Sequence, residues 1–341
     1  MSSENLALVA DIGGTWARFA VAQWRGDNSP VLGHLAQVAV ADHDSLVAAA
    51  RHFLDALPAE LPRPDRAVLA VAGKVDGDEA ALTNHPWQIN ARECSAQLAL
   101  HDTKLINDFT AQALAVPHLR PADRLALNTP PVTTRRDSAT YAVLGPGTGL
   151  GVSGLLCRAG QRIALESEGG HAAFAPKTAR QRALLEHLSS RYTRVSYERL
   201  LSGAGLSNLH WALSRMAGAT NDADLRPEQV TQGAVAGDPL CTEAIEVFCE
   251  VLGAFAGDLV LTFGSWDGVY LSGGLVPLLI DSLRGRDFRE AFQNKGRFSS
   301  AVARVPVHAV LHPQPGLLGA AARAFEAGQP ERPTPAENAA A

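Results

Sequence analysis

Apolar runs at the start of the chain alternate with glycine turns. Leu6 to Ala10 reads as a strand, Gly13–Gly14 as a turn and Arg18 to Trp24 as a second strand. Val31 to Val40 continues the pattern as a third. DSLVAAARHFLDAL (44–57) switches to helical apolar spacing, with Asp44 or Ser45 at the cap position. RAVLAVAG (66–73) predicts a buried strand ending in glycine, and KLINDF (104–109) a short strand running into the helical TAQALAV. Strands and helices in this order predict a mixed α/β domain. After a polar, proline-bearing stretch (121–138), the strand-turn-strand opening recurs at VLGPGTGLGVSGL (143–155). Helical periodicity then dominates over 179–192 and 238–261, where apolar residues at 240, 244, 248, 252, 255 and 259 line one face. GVYLSGGLVPLL (268–279) predicts a strand, a Gly-Gly turn and the start of a helix. A last helix is expected over 315–328, and 329–341 is expected to be a disordered tail.

The chain has 341 residues, enough for two ordinary domains and a substantial core. A net charge of −5 gives no electrostatic case for nucleic acid or an anionic membrane as partner, so a small soluble ligand is the default. The stretch from Ser138 to Cys157 is uncharged and nominally long enough to span a bilayer. Its glycines, proline, Ser and Thr suit two strands joined by a tight loop instead. The N-terminus lacks a basic segment before an apolar run, so no signal peptide is expected. Cys94, Cys157, Cys241 and Cys249 form no CxxC pair, which fits free thiols in a reducing cytoplasm.

The candidate chemistry clusters at the turns. In DIGGTWAR (11–18), Gly13 and Gly14 allow positive φ and let backbone N–H groups approach an anion. Thr15 adds a hydroxyl and Arg18 a charge, and Asp11 could hold Mg²⁺ through water. An ordinary glycine hairpin explains the same residues. GPGTGLG (145–151) is a denser second turn. Within it, GLGVSG (149–154) matches G-x-G-x-x-G, but the match sits inside a second β-arm with no helix after it, so a dinucleotide site is not expected. INDFTAQA (106–113) ends a strand and opens a helix: Asn107 or Asp108 either caps that helix or presents a catalytic carboxylate at a strand end. ESEGGHAAFAP (166–176) places Glu168 and His171 around two glycines, suited to sugar hydroxyls or merely to a solvated loop. Glu198 is a third acidic candidate or an exposed helix glutamate. In LTNHPW (82–87), Thr83, Asn84, His85 and Trp87 are polyol contacts or a capped turn, and Gly273–Gly274 precede a helix start suited to a nucleotide.

Together these segments carry a resemblance. DIGGTxARFA, INDFTA, GPGTGLGV, EGGHAAFAP, SYERLLSGAGL, SGGLVP and KGRF…PGLLGAA occur in this order, and over roughly residues 6 to 325 the chain resembles bacterial glucokinases of the type without a zinc motif. The resemblance implies phosphoryl transfer from ATP, with Mg²⁺, to the 6-hydroxyl of D-glucose. It also implies an actin-like ATPase (ribonuclease H-like) α/β fold with two domains flanking a cleft, and a cytoplasmic homodimer. The expected domains are 1–110 plus about 312–328, and 111–311. Asp108 matches the family's catalytic base, and Asn107, Glu168, His171 and Glu198 its glucose ligands, with Asn84 and Gly147 as further sugar-contact candidates. Asp11, Gly13, Gly14, Thr15 and Arg18 match one phosphate loop, Gly147, Thr148 and Gly149 the other, and Gly273–Gly274 a segment near the adenosine. Trp16 departs from the Asn that family members often carry there. The zinc-bearing CxCGxxGC cluster of the related repressor and kinase family is absent, so no structural metal is expected. A broader hexokinase and a non-catalytic sugar-binding regulator are the alternatives, and the strand starting at Leu6 leaves no room ahead of it for a DNA-binding domain.

Overall fold

The computed structural model describes residues 6–24, 29–82, 85–128, 138–219 and 224–326. Thr83, Asn84 and the tail expected over 329–341 lie outside the described residues. The chain divides into two compact units, 1–118 with 314–341 and 119–313.

Unit one opens with β1 (Leu6–Ile12), β2 (Trp16–Trp24), β3 (Pro30–Ala39), α1 (Leu46–Asp55) and β4 (Arg66–Val71). A small sheet of β5 (Val75–Asp76), β6 (Glu79–Ala81) and β7 (Gln88–Asn90) follows, then α2 (Ala91–Leu98), β8 (Asp102–Asn107) and α3 (Asp108–Ala115). Ser45 caps α1, its hydroxyl accepting the Ala48 N–H at 3.1 Å. The main sheet runs β3-β2-β1-β4-β8, with β1 antiparallel to β2 and parallel to β4, and β4 parallel to β8. One face of β1 (Leu6, Leu8, Ala10, Ile12) buries against α1 residues such as Leu46, Phe53 and Leu54. The C-terminal helix Pro315–Ala324 packs against β1, β4 and α3. Both faces of β1 are therefore covered, which is why it reads as a continuous apolar run without alternation.

Unit two contains β9 (Arg124–Ala126), β10 (Ser138–Pro146), β11 (Leu150–Arg158), β12 (Gln161–Leu165), α4 (Ala179–Arg191), α5 (Gly203–Met216), α6 (Pro227–Val235) and α7 (Pro239–Phe263). It continues with β13 (Gly268–Leu271), α8 (Leu275–Leu278), α9 (Ile280–Leu283), α10 (Arg286–Gln293), α11 (Ser299–Val302) and β14 (Val307–Val310). The uncharged stretch from Ser138 to Cys157 is the β10–β11 hairpin, as its composition predicts. Among the described residues no helix is long and apolar enough to cross a membrane. The long helix α7 buries Phe248, Leu252 and Val260 in the unit's core and ends at Gly264, whose φ of +65° closes it in the left-handed region.

The sheet of unit two runs β12-β11-β10-β13-β14-β9. Here β10 is antiparallel to β11 and parallel to β13, which is parallel to β14. Its first five strands thus repeat the order and directions of the unit-one sheet. The echo between the two glycine turns is the visible part of one topology built twice, the turns joining the equivalent antiparallel pairs β1–β2 and β10–β11.

Candidate functional site

In unit one, three parallel strands end at the same sheet edge. Asp11 and Ile12 of β1 lie in register with Ala70 and Val71 of β4, and Val71 pairs with Asn107 of β8. Strand spacing puts β1 and β8 ~10 Å apart, so Asp11 and Asp108 occupy neighbouring positions on one edge, where open α/β sheets carry ligand groups. The Asp11 side chain is 24% exposed, and Arg18 Nη1 stands 3.8 Å from its Oδ2. Burial raises the Asp11 carboxyl above the ordinary range, and the Arg18 charge pulls the other way. Arg18 Nε also donates to Gln37 Oε1 at 3.1 Å.

The turn between β1 and β2 differs from expectation in one respect. Neither Gly13 nor Gly14 takes a positive φ. Gly13 N–H closes the turn by donating to Trp16 O at 3.0 Å, and Val40 N–H donates to Thr15 O at 3.0 Å. Trp16 begins β2 on the surface, 44% exposed.

Asn107 settles the question of the helix cap. Its Oδ1 accepts the N–H groups of Phe109 and Thr110 at 2.9 and 3.2 Å, and its Nδ2 donates to Gly73 O at 3.1 Å. Both acceptor sites of the amide are thus used and one N–H remains for a ligand. Asp108 is the first residue of α3, and its Oδ1 accepts the Phe109 N–H at 2.9 Å. A carboxylate here is stabilised by the helix N-terminus and stands beside the strand ends. Trp87 is not a polyol contact: it is 4% exposed in the core, its indole N–H donating to His43 O at 3.2 Å. Asn84 lies outside the described residues.

In unit two the loop Gly147–Gly149 closes the β10–β11 hairpin. Gly147 N–H donates to Gly149 O, and Gly203 N–H, at the start of α5, donates to Gly147 O, each at 2.8 Å. Again neither Gly147 nor Gly149 has a positive φ. Gly273 does, at +141°, and a Cβ there would lie 2.5 Å from Pro146 O, so only glycine lets β13 run on beside this loop. A Cβ on Gly147 would lie 3.8 Å from Gly274 N, which places the Gly273–Gly274 segment against the loop. The helix expected after Gly274 is only the single turn of α8, so its dipole is slight and the glycines' contribution is close backbone approach.

Glu168, His171 and Glu198 come together beside that same loop. Glu168 precedes the one-turn 3₁₀ segment Gly169–His171, which His171 ends, and Glu198 sits on a second one, Tyr197–Arg199. Tyr197 N–H donates to Ala172 O at 3.0 Å and Arg194 Nη1 to His171 O at 2.7 Å, binding the two segments. His171 Nε2 lies 4.0 Å from Glu168 Oε2, and its Nδ1 3.8 Å from Glu198 Oε1. Both gaps exceed a hydrogen bond, and a hydroxyl set to one side of either pair could reach both of its groups at once. Glu198 is 28% exposed and not the solvated helix glutamate that its local sequence also allowed. A separate trio, His210, Asp238 and Cys241, brings donor atoms within 4.8 Å of one another, a proximity that linear spacing did not show. Asp238 there caps α7, its Oδ1 accepting the Cys241 N–H at 2.8 Å.

With two glycine turns, a strand-end carboxylate and a Glu-His-Glu cluster in place, comparison with known proteins is decisive. The glucokinase family model matches residues 8–327. A glucokinase of Stenotrophomonas maltophilia strain K279a is 50% identical over 322 residues, covering 94% of this chain and 95% of that protein. The chain belongs to the glucokinase family. It is accordingly a glucose kinase, with the actin-like ATPase fold. A glucokinase from Xanthomonas oryzae pv. oryzae strain MAFF 311018 is 48% identical over 326 residues, covering 94% of this chain and 95% of that one. Among solved structures, a glucokinase from an Antarctic psychrotroph superposes with a TM-score of 0.84 at 34% identity, covering 94% of this chain and 98% of its own. A Streptomyces griseus glucokinase of the ROK family, solved with glucose and AMPPNP, shares the fold with a TM-score of 0.62 at 19% identity, covering 93% of this chain and 97% of its own.

Proposed function

We propose that this glucokinase transfers the γ-phosphoryl of MgATP to the 6-hydroxyl of D-glucose, with Asp108 as the base. The observation that carries the proposal is the placement of Asp108: a carboxylate at the end of a central parallel strand, held at the first turn of α3, on the same edge as the Asp11 turn. Phosphoryl transfer asks little covalent chemistry of a protein and mostly requires positioning and charge stabilisation. Asp108 orients the sugar hydroxyl and accepts its proton. Asn107 offers its one remaining N–H to a sugar oxygen while fixing the start of α3. Glu168, His171 and Glu198 hold the vicinal hydroxyls, with Asn84 and Gly147 as further contacts.

Gly13, Gly14, Thr15 and Arg18 form one phosphate loop of this reading and Gly147, Thr148 and Gly149 another; they offer hydroxyls, a guanidinium and backbone N–H groups other than those of Gly13 and Gly147, which donate to Trp16 O and Gly149 O. Gly273 and Gly274 lie toward the nucleoside. Asp11 fits a water-mediated hold on Mg²⁺: it is one partly exposed carboxylate, and Mg²⁺ keeps several of its waters. When bound, the ion offsets phosphate charge. The domains proposed are 1–110 with about 312–328, and 111–311, in a cytoplasmic homodimer, which fractionation and sedimentation check.

The test is Asp108→Ala, assayed by coupled ADP release with glucose varied. Turnover should fall by roughly 10²–10⁴-fold, the span of general base catalysis, with nucleotide affinity little changed. Near-normal turnover in the variant removes Asp108 from the role. Turnover of the intact protein that is independent of glucose would favour a different acceptor altogether.

A further inference from the structure

Glu198 makes a contact that a sugar ligand does not require. Its Oε2 accepts the backbone N–H of Leu150 at 2.9 Å, across 48 residues, while its Oε1 faces His171. Leu150 is the first residue of β11 after the loop Gly147–Gly149. The carboxylate lies over the loop where a side chain at position 149 would be: a Cβ on Gly149 would stand 2.6 Å from Oε2 and 3.5 Å from Cδ. The segment bearing Glu198 is held firmly, since Ser202, itself 2% exposed, donates its hydroxyl to Glu198 O at 2.8 Å and caps α5 through Gly205 N–H at 3.0 Å. One residue further on, Gly203 N–H donates to Gly147 O at 2.8 Å. The short run from Glu198 to Gly203 therefore clamps both sides of the loop.

We infer that Glu198 is shared between the two substrates: Oε1, with His171, takes a sugar hydroxyl, while Oε2 pins the loop Gly147–Gly149, so sugar occupancy and the phosphate-binding form of that loop are energetically coupled. Gly149 lacks a side chain because this carboxylate occupies the space. The coupling is reciprocal: whatever the sugar adds to nucleotide affinity through Glu198, the nucleotide adds to sugar affinity. The inference rests on Glu198 being a sugar ligand, as proposed above.

The test is a substitution in the phosphate loop read out on the sugar alone. Gly149→Ala forces the Glu198 carboxylate aside, a shift its flexible side chain can make without unfolding the unit, which a thermal melt verifies. Calorimetry of glucose binding without any nucleotide should show affinity weakened on the order of tenfold to a hundredfold, the span expected for a hydrogen bond to a charged group. Glu198→Ala should weaken it similarly, and the double variant should bind no more weakly than Glu198→Ala, because both changes remove the same interaction. Unchanged glucose affinity in Gly149→Ala, or additive losses in the double variant, overturns the coupling. A melt showing Gly149→Ala unfolded also overturns it, since the carboxylate was then not free to yield. If the intact protein binds no glucose, the function proposed above fails; if it binds glucose and only nucleotide affinity suffers in Gly149→Ala, the inference alone fails.

Discussion

Two alanine substitutions three residues apart in the C-terminal helix should fail in different ways. At Gly316 an added Cβ would stand 2.7 Å from both Cγ and Oδ2 of Asp11 and 3.1 Å from Oδ1. The obstacle is the end of a side chain, so the carboxylate can swing away and the helix need not move. At Gly319 the Cβ would fall 1.6 Å from Ala111 O and 2.4 Å from its carbonyl carbon. That obstacle is the backbone of α3, and no rotamer relieves it. Restoring contact distance requires the C-terminal helix and α3 to separate by nearly 2 Å, disturbing a helix whose Ala320, Ala321 and Ala322 are all buried.

The magnitudes separate cleanly. Gly316→Ala lowers the entropy of the unfolded chain and should leave stability within about 0.5 kcal/mol of the parent, on the stabilising side if Asp11 yields easily. Gly319→Ala should cost about 3 kcal/mol, the upper part of the overpacking range, and lower the melting temperature of unit one by roughly 6–12 °C. Activity behaves differently. Displacing Asp11 by an ångström should reduce kcat/KM by about a hundredfold in Gly316→Ala, mostly at limiting Mg²⁺. Thermal melts by circular dichroism, paired with Mg²⁺ titrations of the coupled assay, give both quantities. A Gly316→Ala protein that melts as low as Gly319→Ala, or one that keeps the parental Mg²⁺ dependence, refutes the reasoning.

Two further outcomes follow from unit two. Burial, aided by the Arg124 charge, holds His308 down to about 4, below its ordinary 6.5. Above pH ~6.5 the ring is neutral in both folded and unfolded chains, but between there and pH 4 only the unfolded chain takes the proton. Stability should therefore fall by up to roughly 3 kcal/mol over that acid window, and His308→Phe should flatten the slope in urea titrations repeated across pH. Lys295, with a side chain 2% exposed, meets Asp258 Oδ1 at 2.7 Å, while Lys177 reaches the same carboxylate at 3.3 Å. Asp258→Ala leaves the buried ammonium without its counter-charge and should cost about 3 kcal/mol, whereas Lys295→Met should stay within about 1 kcal/mol, an asymmetry that equal losses in urea melts would contradict.

Elements with long, one-signed patterns were legible in the sequence. The helical face at 240, 244, 248, 252, 255 and 259 became α7, and the uncharged Ser138–Cys157 became a hairpin because glycine and proline punctuate it. The small sheet β5–β7 was not legible: its strands have two or three residues, too few to express a period. Trp87 misled for a related reason. Flanked by Asn84, His85 and Pro86 it reads as a polar turn, yet it closes the core beneath α1, with its indole N–H satisfied by His43. Asn107 illustrates a different limit, because in sequence capping and ligand binding read as alternatives. The geometry shows that the cap uses the carbonyl oxygen and one N–H, which leaves the other N–H for chemistry.

The glycines carry the clearest lesson about what sequence can and cannot disclose. Their density marks both turns as sites, and positive φ is the reason that the sequence alone suggests. Gly13, Gly14, Gly147 and Gly149 all have ordinary negative-φ backbones, so conformational freedom does not explain them. At Gly149 the structure shows occupied space instead, the Glu198 carboxylate, and Gly316 and Gly319 of the C-terminal helix lie likewise under the Asp11 carboxylate and the α3 backbone, whereas a Cβ on Gly13 or Gly147 would meet only ordinary contacts. Each partner lies tens or hundreds of residues away in the chain, so no local window contains the reason. A glycine needed for its φ can be moved only with its turn, whereas one needed for its emptiness is tied to a particular distant atom. In this enzyme two of those partners are carboxylates proposed above to hold a sugar hydroxyl (Glu198) and a Mg²⁺-bound water (Asp11). Alanine at Gly149 or Gly316 should therefore act on binding and catalysis before it acts on stability, the reverse of the order expected for a glycine held in place by backbone strain.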